Sequence, residues 1–126
     1  MTFQDWLVLV VEDDYDSTKM VAKVLEHHQI RYDTVGNGAE CIQALERFIP
    51  TLIVMDLAMP VMDGWRTLSE IRANPNTAHI PVVAITAYSS PNVAADAQLA
   101  GFDGYFPKPL HPIRFVQELV KIVEQG

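Results

Sequence analysis

The chain contains one cysteine, Cys41, so no internal disulfide can staple it and its core must close by packing alone. Cys41 lies in a helix-like stretch and reads as a small core or half-buried side chain rather than a nucleophile. A reducing, intracellular compartment fits that usage. Basic residues are also few, 9 Lys and Arg against 16 Asp and Glu, for a formal charge of -7. The cations are scattered singly, so like charge disfavours direct binding to nucleic acid. No apolar run approaches the roughly 18 residues of a membrane span, and Met1 to Trp6 carries none of the Lys or Arg of a targeting leader. A soluble, cytoplasmic protein without membrane contact is expected. His27, His28, His79 and His111 lack compact zinc-ligand spacing and read as surface or capping residues. Gly36-Asn37-Gly38 is a turn, since no Gly-x-x-x-x-Gly-Lys phosphate loop is present. What the chain does have is 126 residues that are 49% hydrophobic, enough for one domain spanning 1–126 with a sizeable core.

Five apolar runs alternate with five amphipathic ones. Leu7 to Val11 is continuously apolar, as a strand buried on both faces of a parallel sheet reads, and it stops at Glu12-Asp13-Asp14. Met20, Val21, Val24 and Leu25 recur at helical spacing between Ser17 and His28. Ile30 to Val35 predicts a second strand, and Ala39, Ile42, Leu45 and Phe48 a second helix, stopped at Pro50. Leu52 to Met55 is a third strand, ended by Asp56. The loop from Met59 to Gly64 leads into a helix through Trp65, Leu68 and Ile71 that ends at Asn74-Pro75-Asn76. Ile80 to Thr86 predicts a fourth strand, Pro91 to Leu99 a small-residue helix that should be weakly anchored, and Gly104 to Phe106 a last strand. Ile113 to Val123 closes the chain as a helix. Its apolar surface exceeds one stripe, which fits either a dimer or partner face or deeper burial. The pattern predicts an α/β fold: a doubly wound, five-stranded parallel sheet in the flavodoxin-like order 2-1-3-4-5, with helices on both faces. Such sheets place ligands at the carboxyl ends of their strands, beside the reversal of strand order.

If the first and third strands are parallel neighbours, Asp13-Asp14 and Asp56 converge at one edge of the sheet. Crowded carboxylates repel, and a divalent cation with hard oxygen ligands, Mg2+, relieves that repulsion. The alternative is that these acids only begin turns and cap helices. Glu12 is expected to face solvent or to support the cluster from outside the ligand shell. Thr86 and Lys108 end the fourth and fifth strands with a hydroxyl and an ammonium suited to phosphate oxygens. A carboxylate, a metal, a hydroxyl and an ammonium together describe phosphoryl transfer onto an aspartate.

These residues resemble those of a two-component response regulator receiver domain. The matching features are Glu12-Asp13-Asp14, Asp56 with Met59-Pro60 and Asp63-Gly64, Thr86-Ala87 and Lys108-Pro109, covering essentially the whole chain. The resemblance implies that Asp56 accepts phosphate from a histidine kinase or histidine phosphotransfer protein. It also implies that Asp13 and Asp14 hold Mg2+ directly or through water, with the Ala58 backbone carbonyl as a further ligand. Thr86 would contact the phosphoryl group, Lys108 would pair with it, and the Lys108-Pro109 peptide would be cis. Tyr105 matches the ring that in this family rotates when the hydroxyl matched by Thr86 moves inward, changing the surface of the fourth helix, fifth strand and fifth helix. Such a chain catalyses its own phosphorylation and is not a turnover enzyme on an external substrate.

Two positions near the acceptor vary within that pattern. Ala58 offers no side chain to orient an attacking water and Tyr88 offers a bulky ring, so slow self-dephosphorylation is expected. A phosphoaspartate hydrolase is disfavoured, because Asp56-Leu57-Ala58 lacks a second acid and the chain is short for a substrate cap. A receiver-like docking module that works without phosphate is the remaining alternative. With nothing after Gly126 to bind DNA, a stand-alone receiver or a domain of a longer protein is expected, with a homodimer or a downstream protein as its output partner.

Overall fold

The computed structural model describes residues 3–125. The start of the Met1–Trp6 segment and the expected domain end at Gly126 therefore lie outside the described residues. Five strands and five helices alternate: β1 (Leu7–Val11), α1 (Tyr15–His27), β2 (Arg31–Val35), α2 (Gly38–Leu45), β3 (Leu52–Asp56), α3 (Gly64–Ala73), β4 (Val82–Thr86), α4 (Pro91–Ala100), β5 (Gly104–Pro107) and α5 (Pro112–Gln125). All strand pairs are parallel, in the order β2-β1-β3-β4-β5. The doubly wound sheet read from the apolar runs is the sheet observed.

Successive residues of a strand point to opposite faces, so the central strands divide their side chains between two cores. Val8, Val10, Val54, Val83 and Ile85 pack with Val21 and Leu25 of α1 and with Phe115, Val116 and Leu119 of α5. Leu9, Val11, Ile53, Met55, Val82 and Ala84 pack with Cys41 of α2, Leu68 and Ile71 of α3 and Ala97 of α4. Cys41 is fully buried, and burial pushes its thiol up to about 12, which keeps it an inert core side chain. Val120, Ile122 and Val123 of α5 pack partly against the first core, so most of that helix's surplus apolar surface is absorbed inward, while Ile113 stays 63% exposed. Only Ala97 is buried in α4, which is the weak anchoring expected of a helix rich in alanine.

Boundaries shift where a local hydrogen bond competes with periodicity. Asp14 caps α1 by accepting from Ser17 N–H, so the helix begins at Tyr15 rather than Ser17. Ile30 N–H donates to Leu25 O, closing the end of α1, so β2 begins at Arg31. β4 begins at Val82 rather than Ile80: Ile80 N–H turns back to Thr77 O, and Pro81 has no N–H to give the ladder. α2 ends at Leu45, and Phe48 packs partly against the second core from the loop beyond.

The amino-terminal end of the sheet is tied by one side chain. Arg72, on α3, donates through Nη1 to Ala78 O at 3.0 Å and Ile80 O at 2.6 Å, and through Nη2 to Gly101 O at 3.2 Å and Asp103 Oδ2 at 2.9 Å. Asp103 Oδ2 also accepts from Val82 N–H at 2.8 Å. One guanidinium thus joins α3, the entry to β4, the end of α4 and the entry to β5. Gly101, which ends α4, has φ +106°, a conformation that glycine adopts without strain.

Candidate functional site

Strand register places the acids. Val11 pairs with Met55, so the next residue of each strand, Glu12 and Asp56, emerges level at the carboxyl edge. Thr86 pairs with Pro107, which brings Lys108 to the same edge. One oxygen each of Glu12, Asp13 and Asp56 falls within 4.8 Å of the others. Asp14, expected in this cluster with Asp13, instead faces the helix it caps, and Glu12 stands in the cluster. Of the two places expected for Glu12, facing solvent or supporting the cluster, the first is corrected: the residue is 4% exposed, because it directly continues β1, an interior strand of the sheet.

Lys108 holds the buried acids together. Its Nζ donates to Glu12 Oε1 at 2.6 Å, Ser17 Oγ at 2.9 Å and Asp56 Oδ2 at 3.1 Å. Burial works against its charge, but the hydrogen bonds and charges of Glu12 and Asp56 outweigh that and hold its pKa above the usual lysine value. Asp56 Oδ1 accepts from Ala58 N–H at 3.1 Å, so both acceptor oxygens are oriented. Glu12 is raised to about 7, first by burial, then by the hydrogen bond it shares with Asp56, with Lys108 and the Asp14 N–H pulling the other way. Ser17 is the contact that sequence reasoning missed. It lies 91 residues from Lys108 in the chain, and only the fold brings them together.

The loop after Asp56 is tightly held. Gly64 N–H donates to Leu57 O at 3.0 Å, and a Cβ on Gly64 would stand 2.6 Å from Asp56 O and 2.9 Å from Leu57 Cα. Glycine at this position lets α3 start directly against the backbone of the acceptor. Asp63 caps α3 by accepting from Arg66 N–H.

The remaining predicted residues lie around this centre. Thr86 is 2% exposed, and its Oγ1 accepts from Tyr88 N–H at 3.0 Å. Tyr105 is half-buried and donates through its hydroxyl to Ser89 Oγ at 2.8 Å. The Tyr88 ring is 76% exposed, so it does not cover the acceptor in this conformation. The Lys108-Pro109 peptide is cis.

Three carboxylates, Glu12 and Asp56 buried and Asp13 exposed, converge as hard oxygen donors, a set that fits Mg2+. No helix among the described residues is long and apolar enough to cross a membrane.

Comparison with known proteins agrees with this geometry. A family model for the response regulator receiver domain matches residues 8–120. An uncharacterized 14.6 kDa protein of Leptolyngbya boryana is 35% identical over 118 residues, 94% of this chain and 87% of that one. The peroxide stress-activated histidine kinase mak1 of Schizosaccharomyces pombe is 34% identical over 82% of this chain, which spans only 7% of the kinase. Among solved structures, the receiver domain of a sensor histidine kinase from Pseudomonas aeruginosa, with a magnesium ion coordinated in its active-site cleft, superposes with TM-score 0.87. It is 27% identical and covers 94% of this chain and 98% of that one. The match runs from inside β1 to inside α5, over the same strands whose register assembles the carboxylates, and the chain belongs to the response regulator receiver domains of two-component signalling.

Proposed function

We propose that the chain is a phosphorelay receiver that takes a phosphoryl group onto Asp56 from a phosphohistidine of a histidine kinase or histidine phosphotransfer protein. The observation that carries this reading is the Asp56 carboxylate, 6% exposed yet held on one oxygen by Ala58 N–H and on the other by Lys108 Nζ. An Asp56 oxygen attacks phosphorus, the bond from phosphorus to the donor histidine nitrogen breaks, and that nitrogen keeps the bonding pair. No general base is drawn into the step, since a carboxylate oxygen is itself the nucleophile. Lys108 offsets charge on the transferred oxygens, and the Thr86 hydroxyl is the neutral donor for one of them. Asp13, Asp56 and the Ala58 carbonyl would hold Mg2+, with Glu12 supporting them in place of Asp14, which was expected as a ligand. The ion would supply positive charge at the same oxygens.

The switch follows from the same parts. Thr86 leaves Tyr88 N–H to meet the phosphoryl group, Tyr105 leaves Ser89, and α4, held by one buried alanine, moves with them. Ala58 carries no group to orient water, which supports slow loss of the phosphate. The output partner is a second copy or a downstream protein, and the site of action is the cytoplasm.

The experiment is intact mass after incubation with acetyl phosphate, for the native chain and for Asp56→Asn, with and without Mg2+. The expected result is one added phosphoryl group on the native chain alone, and only with Mg2+. If neither chain gains mass while both stay folded, the phosphate-independent docking module replaces this reading.

A further inference from the structure

We propose that Ser17 is a positioning residue for the catalytic ammonium: its hydroxyl closes a ring of hydrogen bonds that aims the third N–H of Lys108 at Asp56. The inference rests on the phosphoryl-transfer reading above and deepens it.

Ser17 is the third residue of α1. In many helices that position holds an acid whose side chain reaches back to the N–H of the capping residue. Here the reach is made from outside the helix, because Asp14 N–H donates to Glu12 Oε2 at 3.1 Å. The Asp14 carboxylate in turn accepts from Ser17 N–H at 2.9 Å. With the N–H of the capping residue served by Glu12, the Ser17 hydroxyl is not needed there; it lies beside the Asp14 carboxylate and accepts from Lys108 at 2.9 Å. Glu12 Oε1 accepts from the same nitrogen at 2.6 Å. The circuit Ser17, Asp14, Glu12, Lys108 and back to Ser17 is therefore closed, and it joins the start of α1 to the residue that follows β5.

An ammonium has three N–H donors. Ser17 and Glu12 take two of them in fixed directions, so the third has one orientation left, toward Asp56 Oδ2 at 3.1 Å. When a phosphoryl group occupies that oxygen, the same N–H meets it without a new search over rotamers. Without Ser17 the ammonium keeps Glu12 and Asp56 as partners but loses the third contact, and with it the constraint that fixes its rotation when a phosphoryl group replaces the direct Asp56 contact.

Two measurements on the full chain test the ring. The first is the rate of phosphorylation by acetyl phosphate at saturating Mg2+, per folded molecule as counted by circular dichroism, for the native chain, Ser17→Ala and Ser17→Thr. Losing a hydrogen bond to a charged group should slow Ser17→Ala about tenfold, and Ser17→Thr should return to within about twofold of native. The second needs no phosphate: the Lys108 ammonium proton resonance should persist in the native chain and in Ser17→Thr, and broaden away in Ser17→Ala. An alanine variant as fast as native with an unchanged ammonium resonance overturns the inference, as does a threonine variant as slow as alanine. If the native chain itself takes up no phosphate, the transfer reading fails, and the ammonium resonance still decides whether Ser17 fixes Lys108.

Discussion

At Glu12 a buried carboxyl group meets the Lys108 ammonium on one oxygen and the Asp14 backbone N–H on the other. Burial, followed by the hydrogen bond with Asp56, raises its pKa from 4.5 to about 7. The folded chain therefore holds a proton at Glu12 that the unfolded chain releases. The stability this contributes is fully present below pH 4.5 and is lost as pH rises toward 7 and above. The metal-free domain should accordingly lose thermal stability across that window, and Glu12→Gln should flatten the trend, as melting curves in EDTA at a series of pH values would show. A slope unchanged in the variant would remove Glu12 as its origin. This residue also marks the limit of what sequence reading delivered at the site. Asp56, Thr86 and Lys108 were legible because each directly ends or follows an apolar run. In Glu12-Asp13-Asp14, three consecutive acids give no signal of which pair the edge presents. The register of β1 against β3 and the cap of α1 decide it, and both are tertiary facts.

The element that carries most of the proposed movement is α4. Its Ser90 accepts from Val93 N–H at 3.1 Å, capping a helix with one buried residue, while Leu99 stands 86% exposed. With so little area buried, the cap is a large share of what holds the helix against local opening. Ser90→Ala should weaken it by about 1 kcal/mol. Hydrogen exchange of the α4 amides should then quicken about fivefold while exchange in β1 and β3 stays near native; equal acceleration throughout would show that α4 opens only with the whole domain. All ten elements were legible in the sequence: β1, β3 and β4 as unbroken apolar runs, α1, α2, α3 and α5 as stripes, and β2, β5 and α4 as short segments bounded by glycine and proline. The misplaced boundaries at Tyr15, Arg31 and Val82 each trace to one hydrogen bond or one missing N–H. Such local competition is invisible to a count of apolar spacing.

Across the molecule, the site at the carboxyl edge and the Arg72 tie at the amino edge occupy opposite ends of one parallel sheet. Arg72→Ala would leave the Ala78, Ile80 and Gly101 carbonyls without this donor and Asp103 without its cation. Denaturant unfolding should show a loss of roughly 2–4 kcal/mol. A loss below about 0.5 kcal/mol would show that water replaces the guanidinium at no penalty. The tie grips α4 by its last turn only, through Gly101 O, and leaves the end near Ser89 and Tyr105 to the proposed switch. That makes the helix a lever with a fixed foot. Ten residues give an arm of about 15 Å, so a tilt of about 10° at Gly101 sweeps the far tip through roughly 2.6 Å. In the proposed switch, the loss of one hydroxyl contact at Thr86 would thereby be magnified into a displacement that a docked protein could read, with the gain of the device set by where the foot is nailed down.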